Sequence, residues 1–338
     1  MGNYQIARLT PAEFRLWDDY VLKHPRGSVP QTSMWLGRFP GDLHIQLARD
    51  EKGAIAGGVA LLLTRPWGVR GFFKPPYTAY YGPLLTGSAK SRDAGARTEE
   101  MELVQNLLKA LPRASHYDFM LPPGASDLLP YLWNGFQSSV WYTYILSGSY
   151  DQYLEGMVKR KRRNVRQAWD EVEAGSLSVS ADAPLDDFFA LLQQAREVTG
   201  LTVAEPALRR LLDFDRERKY WKLHLIKDRE GRPAAASLVL CTEKRTTGLL
   251  SAVSNELRDN QNLANLLAYD AAIKWSLESG RSFDFCGSTI PGIERFLRYF
   301  GGEFTPRYRL QKSRSLLPFL ARAFNRFPKE RRPFNTYQ

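Results

Sequence analysis

One order of elements runs through this chain twice, and that repetition limits the folds open to it. In the first half, Tyr4–Leu9 predicts a short strand, and Thr10-Pro11-Ala12-Glu13 a helix start with Thr10 as cap, Pro11 at the first turn and Glu13 closing a capping box. Phe14, Trp17, Val21 and Leu22 then fall at helical spacing. Leu43–Ala48 and Ala54–Thr64 predict strands joined by the turn Asp50-Glu51-Lys52-Gly53, with Val69–Lys74 after them. A helix over Thr98–Leu111, a strand over His116–Leu121, a short helix over Ala125–Trp133 and a strand over Ser139–Leu146 complete this half.

The second half opens with a long helix, Tyr150–Ala174, stopped by Gly175. A strand over Leu177–Ser180 and helices over Leu185–Thr199 and Pro206–Arg218 lead into a three-strand meander, Trp221–Lys227, Ala235–Thr242 and Thr247–Ser254. A helix over Asn262–Ser279, a strand over Ser282–Cys286, a helix over Ile293–Phe300 and a strand over Glu303–Gln311 follow, before a terminal amphipathic helix at Leu316–Phe324. No residue-level repeat accompanies this order. The expected class is α/β (α+β): two domains in tandem, residues 1–148 and 149–338, each a mixed, mainly antiparallel sheet flanked by helices and joined at Ser147-Gly148-Ser149. The 338 residues fit two domains of about 100–200 residues each.

Composition narrows the function classes. At 43% hydrophobic and 12% aromatic residues, the chain can bury sizeable cores. Its two cysteines, Cys241 and Cys286, cannot form a disulfide framework, and its four histidines show no metal-ligand spacing, so no metal is expected. No apolar run approaches the roughly 18–20 residues of a membrane span, and MGNYQIARLT lacks a signal peptide's apolar region, so a cytoplasmic protein is expected. GxSxG, P-loop and GxGxxG contexts are absent, against hydrolase, NTPase and dinucleotide readings.

The formal charge of +11 favours anionic partners and is concentrated in two places. Lys159, Arg162, Arg163 and Arg166 lie at i, i+3, i+4 and i+7 and share a helix face. That stripe is either a solvated surface or a grip for a phosphate-rich substrate. The tail from Arg307 to Arg332 alternates Arg and Lys with Leu and Phe. Its apolar stripe either docks on the second domain or seats the protein peripherally on the anionic inner face of the cell membrane.

Several segments carry a family resemblance. Pro25-Arg26-Gly27-Ser28 with Gln31 and Trp35, the run Tyr80-Tyr81-Gly82-Pro83, the basic helix Lys161-Arg162-Arg163-Asn164-Val165-Arg166-Gln167-Ala168, and the block Gly280, Phe283-Asp284-Phe285, Gly292, Phe296, Phe300-Gly301 stand in one order. Together they resemble the tandem-GNAT Fem-type aminoacyltransferases and their FemAB-like or BioF2-like acetyltransferase relatives. The resemblance implies two GNAT-like domains and acyl transfer to an amine. The donor would be acyl-CoA, with aminoacyl-tRNA as the alternative. The Fem-type pattern carries a Lys where this chain has Leu297, with Arg298 next. In the tRNA-dependent enzymes that Lys is implicated in handling the donor, so the departure favours acyl-CoA.

In such a fold a splayed strand offers a backbone N–H to the acyl oxygen, and the next loop and helix start bind the donor's phosphates. Here the strand is Thr247–Ser254, and the donor-binding candidates are Asn255, Arg258, Asn260, Gln261 and Asn262. The loop lacks glycines and is otherwise an ordinary polar turn. Asp284 is the candidate base or amine-orienting group, or else a satisfied structural carboxylate; Tyr269 is the candidate leaving-group acid. Tyr80, Tyr81, the basic stripe and Arg298 are candidate substrate contacts, Tyr80 and Tyr81 being otherwise packing residues. Tyr80, Tyr81, Asp284 and the loop 255–262 are expected to line a cleft between the domains. Three functions stand open: an acyltransferase acting on a small-molecule, lipid-linked or cell-envelope precursor; a Fem-type aminoacyl-tRNA-dependent transferase of peptidoglycan bridge synthesis; and a degenerate, non-enzymatic GNAT pair that binds nucleic acid or an anionic membrane.

Overall fold

A computed structural model describes residues 4–87, 93–125, 127–181, 183–199, 205–254 and 261–314. The chain packs as two compact units, the first holding residues 4–142 and 305–314, the second 143–304.

The first unit starts where local rules place it. Strand β1 (Gln5–Arg8) is followed by the expected capping box, with the Glu13 carboxylate accepting from Thr10 N at 2.8 Å and Thr10 Oγ1 at 2.7 Å. Helix α1 (Phe14–Lys23) then buries Trp17, Val21 and Leu22. After α2 (Ser33–Leu36) come β2 (Asp42–Arg49), β3 (Ile55–Thr64), β4 (Gly71–Phe72), β5 (Leu84–Leu85), α3 (Ala94–Ala110), β6 (His116–Met120), α4 (Leu129–Trp133) and β7 (Gln137–Leu146). Strands β1 to β4 pair antiparallel in chain order, and β6 adds parallel to β4.

The second unit repeats this order. Helices α5 (Tyr150–Gly156) and α6 (Lys159–Glu173) precede β8 (Leu177–Ser180), α7 (Leu185–Thr199) and α8 (Glu205–Leu212). Then come β9 (Trp221–Asp228), β10 (Pro233–Cys241), β11 (Arg245–Val253), α9 (Gln261–Glu278), β12 (Ser282–Asp284), α10 (Pro291–Arg298) and β13 (Glu303–Ser313). Strands β8 to β11 pair antiparallel, β12 adds parallel to β11, and β7 adds antiparallel to β12. Strand β13 pairs antiparallel with β6. Each half of the sequence thus ends in a strand that completes the other unit's sheet. The compact units therefore divide the chain differently from a cut at 148/149, because β13 joins the first.

Several predicted elements differ in extent: the helix predicted from Thr98 begins at Ala94, the one predicted from Ala125 begins at Leu129, and the strand predicted over Val69–Lys74 is only Gly71–Phe72. The long helix over Tyr150–Ala174 is two helices: Met157 and Val158 are extended, and the Met157 side chain turns into the core between them. The helix predicted over Pro206–Arg218 ends at Leu212, and the strand predicted to Cys286 ends at Asp284. The tail predicted to be helical lies outside the described residues. No described helix is long and apolar enough to cross a membrane.

A buried carboxylate ties the helical layer of the second unit together. Asp270 on α9 is fully enclosed. It accepts from Tyr150 Oη at 2.7 Å and Tyr153 Oη at 2.9 Å on α5, and from Trp169 Nε1 at 2.8 Å on α6. Burial raises its pKa above the usual carboxylate value despite these three donors. Asp270→Ala would leave one buried and two half-buried donors without an acceptor and is expected to cost about 3 kcal/mol, read as a lower urea midpoint. A raised folded-state pKa means that stability is lost as pH rises from the ordinary carboxylate value through the raised one. Urea midpoints of Asp270→Asn should therefore fall less steeply than wild type across that acidic window.

Candidate active site

The sheet of the second unit opens at one point. Strands β11 and β12 pair only through Arg245↔Ser282, Thr246↔Phe283 and Thr247↔Asp284. Beyond Thr247, β11 runs on to Val253 with no described strand on that edge. A bulge falls at the same place: Leu238 faces Leu250 and Val239 faces Gly248, leaving Leu249 without a partner on β10. A bulge bends its strand and turns it away from its neighbour. Gly248, Leu249 and Leu250 are half-buried and Ser251 is exposed, so the unpaired edge is reachable from solvent.

Asp284 sets where the opening begins. Its side chain is fully buried. Oδ1 accepts from Thr143 Oγ1 at 2.7 Å and from Cys286 N at 2.9 Å, and Oδ2 meets Arg245 Nη1 at 3.4 Å. The bond to Cys286 N, two residues on, holds a turn in which Cys286 has φ +58° and Gly287 φ +60°. The strand cannot continue through that left-handed pair. The expected base is thus a positioning group, enclosed and occupied by three donors.

Tyr269 stands at the opening. Its hydroxyl lies 2.8 Å from Ser251 Oγ on the open edge of β11. Its ring packs among Phe285, Phe296 and Phe300, with centroids 6.3, 5.3 and 5.6 Å away. Burial raises the phenol's pKa, so it stays protonated at neutral pH. Lys161 on α6 adds a half-buried cation, with Nζ 4.7 Å from the Phe296 ring centroid and a pKa lowered by burial. In the sequence Lys161 falls between the positions of the basic stripe and stands only as the first residue of the family-like basic segment.

The helix that follows the open strand begins at Gln261, with Asn262 in its first turn. Its first amides have no carbonyl partner within the helix, which suits an anion. Asn255, Arg258 and Asn260 lie outside the described residues.

The other expected contacts sort by burial. Tyr81 is fully enclosed in the first unit; its hydroxyl accepts from Leu62 N at 2.7 Å and donates to Leu62 O at 3.3 Å. Its backbone exchanges bonds with Met120 at 2.8 and 2.7 Å, so Tyr81 ties β3 to the end of β6 rather than meeting substrate. Tyr80 is also fully buried, beside Arg307. On α6, Lys159, Arg163 and Arg166 are exposed, while Arg162 is half-buried and donates to Leu154 O at 3.4 Å. The solvent stripe therefore has three cations. Arg298 is exposed but bound to Glu294 through Nε–Oε1 at 3.0 Å and a second contact, Nη2–Oε2; Tyr144 Oη donates to the same carboxylate at 2.7 Å. Leu297 points the other way, into the core with Met157 and Phe300. A lysine there would have to be buried.

Residues 159–299 match the family described as the acetyltransferase (GNAT) domain. No curated protein sequence matches the chain. Among solved structures, FemX is similar over 90% of this chain and 96% of its own, with TM-score 0.65 and 17% identity. L-PGS from Bacillus licheniformis is similar over 95% and 98%, with TM-score 0.52 and 12% identity. A C-terminal domain from Agrobacterium fabrum, described as that of a lysylphosphatidylglycerol synthetase, is similar over 92% and 95%, with TM-score 0.50 and 15% identity. The matched span falls within the second unit, whose strand order the first unit repeats, so the fold is GNAT-like in tandem.

Asp284→Ala should cost about 3–5 kcal/mol by leaving Arg245 buried without its partner, and Arg245→Met/Asp284→Leu should recover most of that loss. Thermal and urea unfolding of the single and double variants checks this. A purely catalytic carboxylate would leave stability unchanged.

Proposed function

We propose that this chain is an acyltransferase of the GNAT type that moves an acyl group from acyl-CoA to an amine on a small-molecule or lipid-linked acceptor. The observation that carries the reading is the opening between β11 and β12, with Tyr269 beside it and the start of α9 next in the chain.

Each part has a task in this chemistry. A backbone N–H of β11 between Leu249 and Val253, freed from strand pairing, donates to the thioester carbonyl oxygen as negative charge develops there. The donor's phosphates rest against the first amides of α9, where the helix dipole favours anions. The amine nitrogen attacks the carbonyl carbon, the C–S bond breaks, and the Tyr269 phenol supplies a proton to the departing sulfur. The proton lost by the amine passes to water, since Asp284 is enclosed, and water returns a proton to the Tyr269 phenolate, leaving amide, thiol and neutral phenol. Phe285, Phe296 and Phe300 hold the phenol in place and keep bulk water from the reacting carbon.

Aminoacyl-tRNA as donor is the second reading. The exposed cations Lys159, Arg163 and Arg166 favour it, as does likeness of fold to FemX and to a lysylphosphatidylglycerol synthetase. Burial of Leu297 weighs against it.

A thermal-shift series with coenzyme A, acetyl-CoA and charged tRNA separates the two, because a ligand that binds only the folded state raises the melting temperature. Acyl-CoA should raise it in both wild type and Tyr269→Phe. With an amine acceptor, thiol release by Tyr269→Phe should fall about a hundredfold in kcat with an unchanged melting temperature. Stabilisation by charged tRNA alone, falling steeply with salt and lost on charge reversal of Arg163 and Arg166, would establish the second reading instead. No response to either donor would leave a binding protein without this chemistry.

A further inference from the structure

Arg307 and Arg309 stand two residues apart on β13 and leave the strand on the same face. They are treated differently. Arg309 is met by a carboxylate: Asp118 accepts from its Nε at 2.8 Å and its Nη2 at 2.7 Å. Arg307 is buried more deeply, at 2% exposure, and among the described residues it makes no ion pair. Its Nε has no hydrogen-bond partner. What faces the guanidinium is two aromatic rings of the same unit, Tyr80 with its centroid at 5.9 Å and Trp141 at 5.8 Å.

An arginine keeps its charge at any accessible pH, and its five N–H groups only donate. Ring faces attract the cation but leave those donors unused. A charge taken out of water without a counter-charge is strongly unfavourable, so a buried arginine in a folded protein normally has an anion beside it. Here the neighbouring arginine has its carboxylate and this one does not. A planar donor fork beside aromatic rings suits a carboxylate or phosphate bound through two parallel hydrogen bonds, with the organic body of the ligand against the half-buried Trp141.

We propose that Arg307, flanked by Tyr80 and Trp141, is an anion-binding site of the first unit that takes the carboxylate or phosphate group of a small ligand. The site rests on the first unit alone and does not depend on the acyl-transfer reading.

The test is titration of the full-length protein with inorganic phosphate and, separately, with acetate, at ionic strength held constant with chloride. At least one of them should raise the melting temperature saturably, and the one that does identifies the anionic group. Arg307→Met should weaken that response at least tenfold, whereas Arg15→Glu on the exposed side of α1 should leave it unchanged. A saturable change in tryptophan emission should accompany binding in wild type and vanish in Trp141→Phe, an observation that does not require Arg307→Met to fold. The proposal is overturned if neither anion stabilises the protein beyond chloride, if Arg307→Met responds as wild type does, or if tryptophan emission responds alike in wild type and Trp141→Phe.

Discussion

A carboxylate with no exposure to solvent, Asp284, fixes the geometry on which the second unit's site depends. It accepts from Thr143 on β7 and Cys286 in the turn and meets Arg245 on β11, so one side chain joins three consecutive parts of the sheet. The bond to Cys286 N closes a left-handed turn that ends β12 after three residues. Strand β11 runs on for six residues without a described partner on that edge, and the bulge at Leu249 bends it. An open strand edge in a protein interior would be an error of folding; at a solvent-reachable groove it supplies aligned donors for a ligand. The strained backbone at Cys286 is sustained because the same carboxylate that bends it is neutralised by Arg245.

Buried charges in this protein sort by what surrounds them. Asp118 has Arg309, Asp284 has Arg245, and Asp270 has three neutral donors from two helices. All are occupied by partners within the fold. The groups left to do chemistry are a protonated phenol, backbone amides, and cations whose charge the described residues do not neutralise. Such a set stabilises negative charge and donates protons. It suits the acyl transfer proposed for the second unit.

The two units have the same strand order, four antiparallel strands, one parallel, one antiparallel, yet no sequence repeat. Pairing depends on backbone groups that every residue carries, so a topology can recur on unrelated side chains. The exchange of last strands follows from the same fact. Strand β13 pairs with β6 from Arg309↔Met120 to Ser313↔His116, and nothing in its residues shows which sheet it joins.

Much of the fold was legible because it rests on local periodicity and on caps. The Thr10–Glu13 box, the apolar face of α1, the meander strands and the stop at Gly175 follow from residues within a few positions of one another. The resemblance named Tyr269 as a candidate, and the structure sets its hydroxyl beside Ser251 on the open edge of β11. What only the tertiary structure decided was burial and partnership. Whether Asp284 is a base or a pin, whether Tyr81 meets substrate or closes a strand, and whether Arg162 faces water or a helix carbonyl all turn on residues up to 141 positions away. The same holds for Arg307, one basic residue among many in a basic tail. It became distinctive only when the strand carried it into the first unit, where its neighbour found a carboxylate and it found two rings. A side chain's charge is written in the sequence; the solvent and the counter-charge that give it a function are set by folding.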